Sequence, residues 1–188
     1  MKNIFWLALV LGSIAISSAE AAYPTCLDFD RRPLTVNNDE VLKWKENTPN
    51  QYKDRALVVG SLVKVLLDRK SHLHLEMDLT PEHGAEDRDD HVEIVYNKEF
   101  GSVGKIAPGQ EIVACGDYIT SVAQSGPFKP SPVGAIVHWV HASNNTERHV
   151  HGFLMIGGKM FGQEGSQDRL LTMFPEVPFS LGHAFFAQ

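Results

Sequence analysis

Short runs of alternating apolar and polar residues, Gly-marked bends, and one amphipathic stretch near the N-terminus predict an all-β domain with a short N-terminal helix. A small closed or partly open Greek-key barrel suits these features better than a sandwich. Gly60 interrupts the longest apolar run, as glycine does where a barrel strand turns a corner. The five-stranded OB-like barrel is the expected form. At 188 residues and 43% hydrophobic, the chain can fill one such core with short additions at either end.

The elements follow in order. Lys2 precedes an apolar run over residues 4–16, and Ser17-Ser18-Ala19-Glu20-Ala21 supplies small residues where a signal peptidase reads them. That run is short for a bilayer, so residues 1–21 read as a signal peptide. The remainder is expected to be exported, periplasmic or secreted, with no stable membrane insertion after cleavage. Residues 22–54 read as an irregular arm and a helix. Asn37, Asn38 or Asp39 would cap that helix, which runs through Val41, Leu42 and Trp44 and ends before Pro49.

The barrel domain is assigned to residues 55–163. Its first strand covers 55–68. Over 71–79 the chain alternates, with His72, His74, Glu76 and Asp78 on one face and Leu73, Leu75, Met77 and Leu79 on the other. Residues 91–97 form a third strand in which Val92, Ile94 and Tyr96 share a face, and residues 111–122 form a fourth. A Pro- and Gly-rich loop leads to residues 134–156, GAIVHWVHASNNTERHVHGFLMI, which read as a β-hairpin around a polar turn. Gly157-Gly158 then turns into Met160-Phe161, and residues 164–188 form a C-terminal extension. Cys26 and Cys115 make an even pair; in an oxidising compartment this predicts a disulfide joining the arm to the barrel.

Function is sought first in the hairpin, which holds four of the nine histidines. His138 and His141 precede the turn, His149 and His151 follow it, and Trp139 lies between the first pair. One register sets His141 opposite His149 and Trp139 opposite His151; a slip of one residue gathers His138 with His149 and His151 instead. Opposed Cβ atoms lie about 5 Å apart, a spacing that suits a transition metal (zinc, copper or manganese) on neutral imidazoles. His72 and His74 form a second such pair. The same pattern also describes a structural histidine cluster or a pH-responsive patch. Arg148 has the fork that captures phosphate or carboxylate. The loop Glu86-Asp87-Arg88-Asp89-Asp90 offers oxygen ligands but lacks the EF-hand pattern, and reads as solvated. The net charge of −6 counts against nucleic acid as a partner, because non-specific binders neutralise phosphates with Lys and Arg. No G-x-S-x-G, H-E-x-x-H or phosphate-loop motif occurs, so no catalytic residue is assigned.

One resemblance bears on the whole barrel. Lys64-Val65-Leu66-Leu67-Asp68, Ser71-His72, Val92-Glu93-Ile94-Val95-Tyr96-Asn97 and Pro108-Gly109-Gln110-Glu111 follow one another in that order. Cys115-Gly116-Asp117-Tyr118, His138-Trp139 with His141, Arg148-His149 with Gly152, and Gly158-Lys159-Met160-Phe161-Gly162-Gln163 complete the series. This series resembles a family of small exported bacterial proteins catalogued as domain of unknown function 3465. The resemblance covers residues 55–163 and implies an OB-like fold; it brings no established activity. The chain departs from the family pattern at Tyr96, where a histidine is expected, and at Ser71-His72-Leu73-His74, where one basic residue is missing. His151 and everything after Gln163 lie outside the pattern.

The expectation is therefore an exported OB-like binding module. It would present Trp139, Arg148, Asn97 and Tyr96, with the histidines, to a small anionic ligand, an oligosaccharide, a metal ion or a partner protein. The alternative is a metal-dependent hydrolase, a phosphodiesterase or nuclease. In it His72, His141 and His149 hold a water-activating metal and Arg148 stabilises the phosphoryl charge.

Overall fold

The computed structural model describes residues 23–69, 71–81 and 88–163. The expected signal peptide and the C-terminal extension lie outside the described residues. Helix α1 (Asn38–Asn47) starts after Asn37, carries Asp39 and Glu40 in its first turn, and ends before Pro49. Asn37 makes no side-chain cap. Its amide oxygen instead accepts from the Leu57 N–H at 2.8 Å and its amide nitrogen donates to the Arg55 carbonyl at 3.3 Å. Asn38 treats Val59 the same way, at 3.1 and 2.7 Å. The two asparagines thus pair with strand β1 (Gln51–Asp68) as a neighbouring strand would, which seats the helix on the barrel.

β1 begins four residues before the expected boundary, because its pairing with β4 (Glu111–Thr120) starts at Gln51 opposite Thr120. Residues 51–54 therefore belong to the barrel. β1 runs for eighteen residues and changes partner midway: Ser61 faces Glu111 of β4 on one side and Asp78 of β2 (His72–Asp78) on the other. The bend falls at Gly60, where a Cβ would stand 2.0 Å from the Asp78 carbonyl oxygen, so only glycine lets these strands meet. β2 pairs with β3 (His91–Asn97), β3 pairs in parallel with β5 (Ala135–His138), and β5 returns to β4. The ring order 1-2-3-5-4-1 is the Greek-key order of an OB-type barrel. Its seam at β3–β5 rests on only two residue pairs, so the barrel is partly open there. The interior is filled by Val58, Leu62, Leu75, Met77, Ile94 and Ile112, among others.

Cys26 and Cys115 form the expected disulfide. It sits in a second, smaller apolar cluster with Leu57, Val113 and Phe153, where the N-terminal arm covers β1 and β4. Among the described residues no helix is long and apolar enough to cross a membrane.

The expected hairpin is not a hairpin. β6 (Phe153–Ile156) does not pair with β5; both lie antiparallel along β4, β5 against Asp117 to Thr120 and β6 against Ile112 to Cys115. The two runs are collinear on one edge of β4, and residues 139–152 leave the sheet between them as an excursion. Neither of the two hairpin registers exists. Trp139 directs the chain outward with φ of 53°, in the left-handed region. Asn145 shapes the far end: its side-chain oxygen accepts from the Glu147 N–H at 3.1 Å and its carbonyl from the His149 N–H at 3.0 Å. At the base, a Cβ on Gly152 would lie 2.2 Å from the Trp139 carbonyl oxygen and 2.4 Å from that of Cys115. β7 (Lys159–Phe161) closes the chain against β6.

Candidate functional site

Strand alternation and the excursion together build the site. In β2, His72 and His74 point outward while Leu73 and Leu75 point into the barrel. β5 brings His138 alongside, and its ring stacks near that of His72, centroids 6.2 Å apart. The excursion folds back over the same face: Trp139 meets the His138 ring edge-on at 4.2 Å, and the His149 ring lies parallel to the indole at 4.2 Å. His141 stacks at 3.8 Å on Phe100, which is carried by a 3-10 turn (Lys98–Phe100) after β3. Asn97, paired with His72 across the β2–β3 ladder, caps that turn by accepting from the Glu99 N–H at 3.0 Å. Five of the expected site residues, His72, His138, Trp139, His141 and His149, thus come together on one face.

Beneath this face lies a buried ion pair. Arg55 and Asp117 are both fully buried, with Arg55 Nη1 donating to Asp117 Oδ1 at 2.6 Å. The other Asp117 oxygen faces His149 Nδ1 at 3.3 Å. Burial and the same carboxylate push the Tyr52 hydroxyl up from its ordinary range. Arg55 also donates to the carbonyls of Leu27 and His151, at 3.1 and 2.7 Å, so one guanidinium joins arm, barrel and excursion.

Three of the rings, His72, His138 and His141, are biased toward the neutral form. Burial, reinforced by His72 and His141 nearby, pulls His138 down to about 4. Burial and then His74 lower His72; burial lowers His141, partly opposed by its bond to the Ala142 carbonyl. The face is aromatic and rich in donors and acceptors.

Other expected site residues have different places. Tyr96 does not face a ligand: alternation turns it into the core opposite to Asn97, and its hydroxyl donates to the Gly101 carbonyl at 2.9 Å. His151 serves the base of the excursion, where its Nδ1 accepts from the Ser143 N–H at 3.0 Å. Arg148 is exposed on the turn that precedes His149. The imidazoles expected to hold a metal do not aim three nitrogens at one point, because they stack on neighbouring rings and spend nitrogens locally. His141 Nδ1 is bonded to the Ala142 carbonyl at 2.8 Å, and His149 faces Asp117.

Among the described residues, three metal-type ligand atoms within 4.8 Å of one another occur instead at Asp78, Asp90 and His91. Sequence reasoning passed over this set. Its signal was the outward face of β2, on which Asp78 follows His72, His74 and Glu76, but that face reads as solvent-exposed. It is not: Glu76 and Asp78 are 1% and 2% exposed, because Arg88, Asp90 and His91 lie across them. A separate cleft, where the arm crosses α1, is lined by Asp28, Asp30, Arg32, Trp44 and Asp54. Its acidic groups are answered locally, Arg32 pairing with both Asp28 and Asp30.

No family model, no curated protein and no solved structure matches the chain.

Proposed function

We propose that the protein is an exported OB-like binding module whose ring-lined face takes a neutral, ring-bearing ligand, with an oligosaccharide as the best-fitting class. The observation that carries this reading is the convergence of Trp139 with His72, His138, His141 and His149, with burial biasing three of the imidazoles toward the neutral form. With Nδ1 of His72, His141 and His149 bonded locally, each ring keeps its Nε2 for a sugar hydroxyl, and the flat rings suit the apolar faces of pyranoses. An anion is less well matched: Arg55 and Asp117 beneath the face answer each other, and the Glu93 carboxylate lies beside His74. OB barrels bind oligosaccharides on this kind of surface, an argument from fold analogy.

Export, to the periplasm or beyond the cell, is part of the proposal and is supported by the disulfide, which persists in oxidising compartments. We further propose kinship with the exported family of unknown function 3465, supported by His138-Trp139, His141, Arg148-His149 and Gly152. The hydrolase reading through His72, His141 and His149 has no gathered donor set in its favour among the described residues.

The test is calorimetric titration of the purified chain against a panel of neutral and acidic oligosaccharides. A saturable neutral ligand is expected, with affinity falling at least tenfold in Trp139→Ala and in His149→Ala while the unfolding midpoint is kept. Binding confined to acidic sugars, or indifferent to both substitutions, defeats the reading.

A further inference from the structure

We propose that Asp78, Asp90 and His91 form a divalent-cation site, with zinc the best-matched ion, independent of the ring-lined face. The three residues come from the end of β2, the segment before β3, and the first position of β3. The β2–β3 ladder pairs Asp78 directly with His91. All three are buried, at 2%, 7% and 0% exposure. His91 Nε2 stands 3.7 Å from Asp90 Oδ1 and 4.0 Å from Asp78 Oδ2, too far for hydrogen bonds. Both His91 Nε2 and Asp90 Oδ1 lack a hydrogen-bond partner although no solvent reaches them. Buried polar atoms are seldom left this way, so each such atom calls for an explanation.

A cation supplies one. Zinc sits about 2.1 Å from nitrogen and oxygen ligands, so two ligand atoms on one ion lie roughly 3.4 Å apart at the tetrahedral angle. The observed 3.7 Å and 4.0 Å exceed that spacing by a few tenths of an ångström, a closure that side-chain rotation on binding would supply. The surrounding bonds orient each donor toward the gap. His91 Nδ1 lies 2.8 Å from Glu76 Oε1; donating there leaves the Nε2 lone pair facing the carboxylates, the carboxylate–histidine–metal arrangement. Glu76 is itself answered by Arg88 at 3.1 Å and Lys64 at 3.3 Å, so it supports His91 without competing for the ion. Thr80 holds the remaining oxygens: its N–H donates to Asp78 Oδ1 at 2.9 Å, and its hydroxyl donates to Asp90 Oδ2.

Two carboxylates and a neutral imidazole carry two negative charges, which a divalent ion balances. Among the described residues the donors are one imidazole and two carboxylates, a set that favours zinc over calcium, which takes six to eight oxygens, and over magnesium, which keeps several waters. The ion would pin residues 88–91 and Thr80 to the outer face of β2.

The test uses the untagged chain, stripped with chelator and titrated with zinc and with manganese by calorimetry, alongside metal analysis of the protein as purified. One zinc per chain is expected, with a raised unfolding midpoint. Affinity should fall at least a hundredfold in Asp90→Asn and in Asp78→Asn, and should be unchanged in a His72→Gln/His149→Gln double variant. Asp90→Asn keeps the shape of the side chain, so its fold can be verified by circular dichroism before titration. Absence of zinc and manganese binding to the stripped chain overturns the proposal. So does zinc binding that survives Asp90→Asn and is abolished by the double variant, which would place the ion on the ring-lined face. Failure of the oligosaccharide panel leaves this result untouched, since the two sites share no residue.

Discussion

Replacing His138 with glutamine should remove a defined part of the protein's acid sensitivity. In the folded chain burial and the nearby rings of His72 and His141 hold this imidazole at about 4, whereas the unfolded chain takes up its proton near 6.5. Between those values the unfolded state binds more protons, so stability is complete above about pH 6.5 and is lost as pH falls toward about 4. The shift of roughly two and a half pH units corresponds to about 3 kcal/mol in full, of which about 2 kcal/mol is lost by about pH 5. His72 and His141, lowered in the same direction, remain in both proteins, so the comparison isolates His138. Urea unfolding at roughly pH 7.5 and pH 5 should show the wild type losing about 2 kcal/mol more than His138→Gln. Parallel losses in the two proteins would refute the reasoning, as would an NMR titration of the His138 ring with a midpoint near its ordinary value.

Two further perturbations address the scaffold beneath the rings. Arg55→Met leaves Asp117 buried without its partner and frees the carbonyls of Leu27 and His151; a loss of about 3–5 kcal/mol in urea unfolding is expected, partly recovered in Arg55→Met/Asp117→Leu. A loss below about 1 kcal/mol would show that the pair does not organise the site. Gly152→Ala drives a methyl into two backbone carbonyls that cannot step aside; it should cost about 1–3 kcal/mol and loosen the contact between Trp139 and His149, read as a shift in tryptophan emission. Unchanged stability and emission would count against the close approach.

What the amino-acid pattern disclosed was mostly local. Pro49 marks the end of α1 because the pre-proline restriction acts on the residue beside it; Asn37 marks its start, though its amide is spent on β1 and not on a cap. Alternation set β3 at His91–Asn97 without error. The pairing of Cys26 with Cys115 followed from there being only two cysteines. The excursion was read as a hairpin because two β-prone runs around a polar turn satisfy the same local pattern whether they pair with each other or lie end to end on a third strand. The choice belonged to β4, whose length accommodates both runs and whose Gly116 admits the His138 backbone, a Cβ there falling 2.3 Å from that carbonyl. Neither hairpin register gathers the observed set, since each keeps His151 and parts His138 from His141, whereas the excursion brings both to one face and turns His151 to its base. Tyr96 leaves the expected site for a different reason: a motif names neighbours in sequence, while the pleat sends Tyr96 and Asn97 to opposite sides. The Asp78–Asp90–His91 set required knowing that a segment lies across β2, which no periodicity reveals.

The way the excursion is rooted has a consequence for how this protein can change. Its two feet, at Trp139 and Gly152, are in contact through backbone, and the strands on either side are already anchored to β4. Closing the intervening loop is therefore part of the barrel's own construction, and lengthening it adds little: roughly 0.6 kcal/mol for each doubling. The exposed tip, residues 144–148, is a cassette that can be resized or rewritten with the barrel left standing, because Val140, Ala142 and Val150 on its flanks are buried and belong to the fold. Binding preference can then drift, or be engineered by grafting, on a timescale set by the loop alone, provided the glycine at its foot is kept.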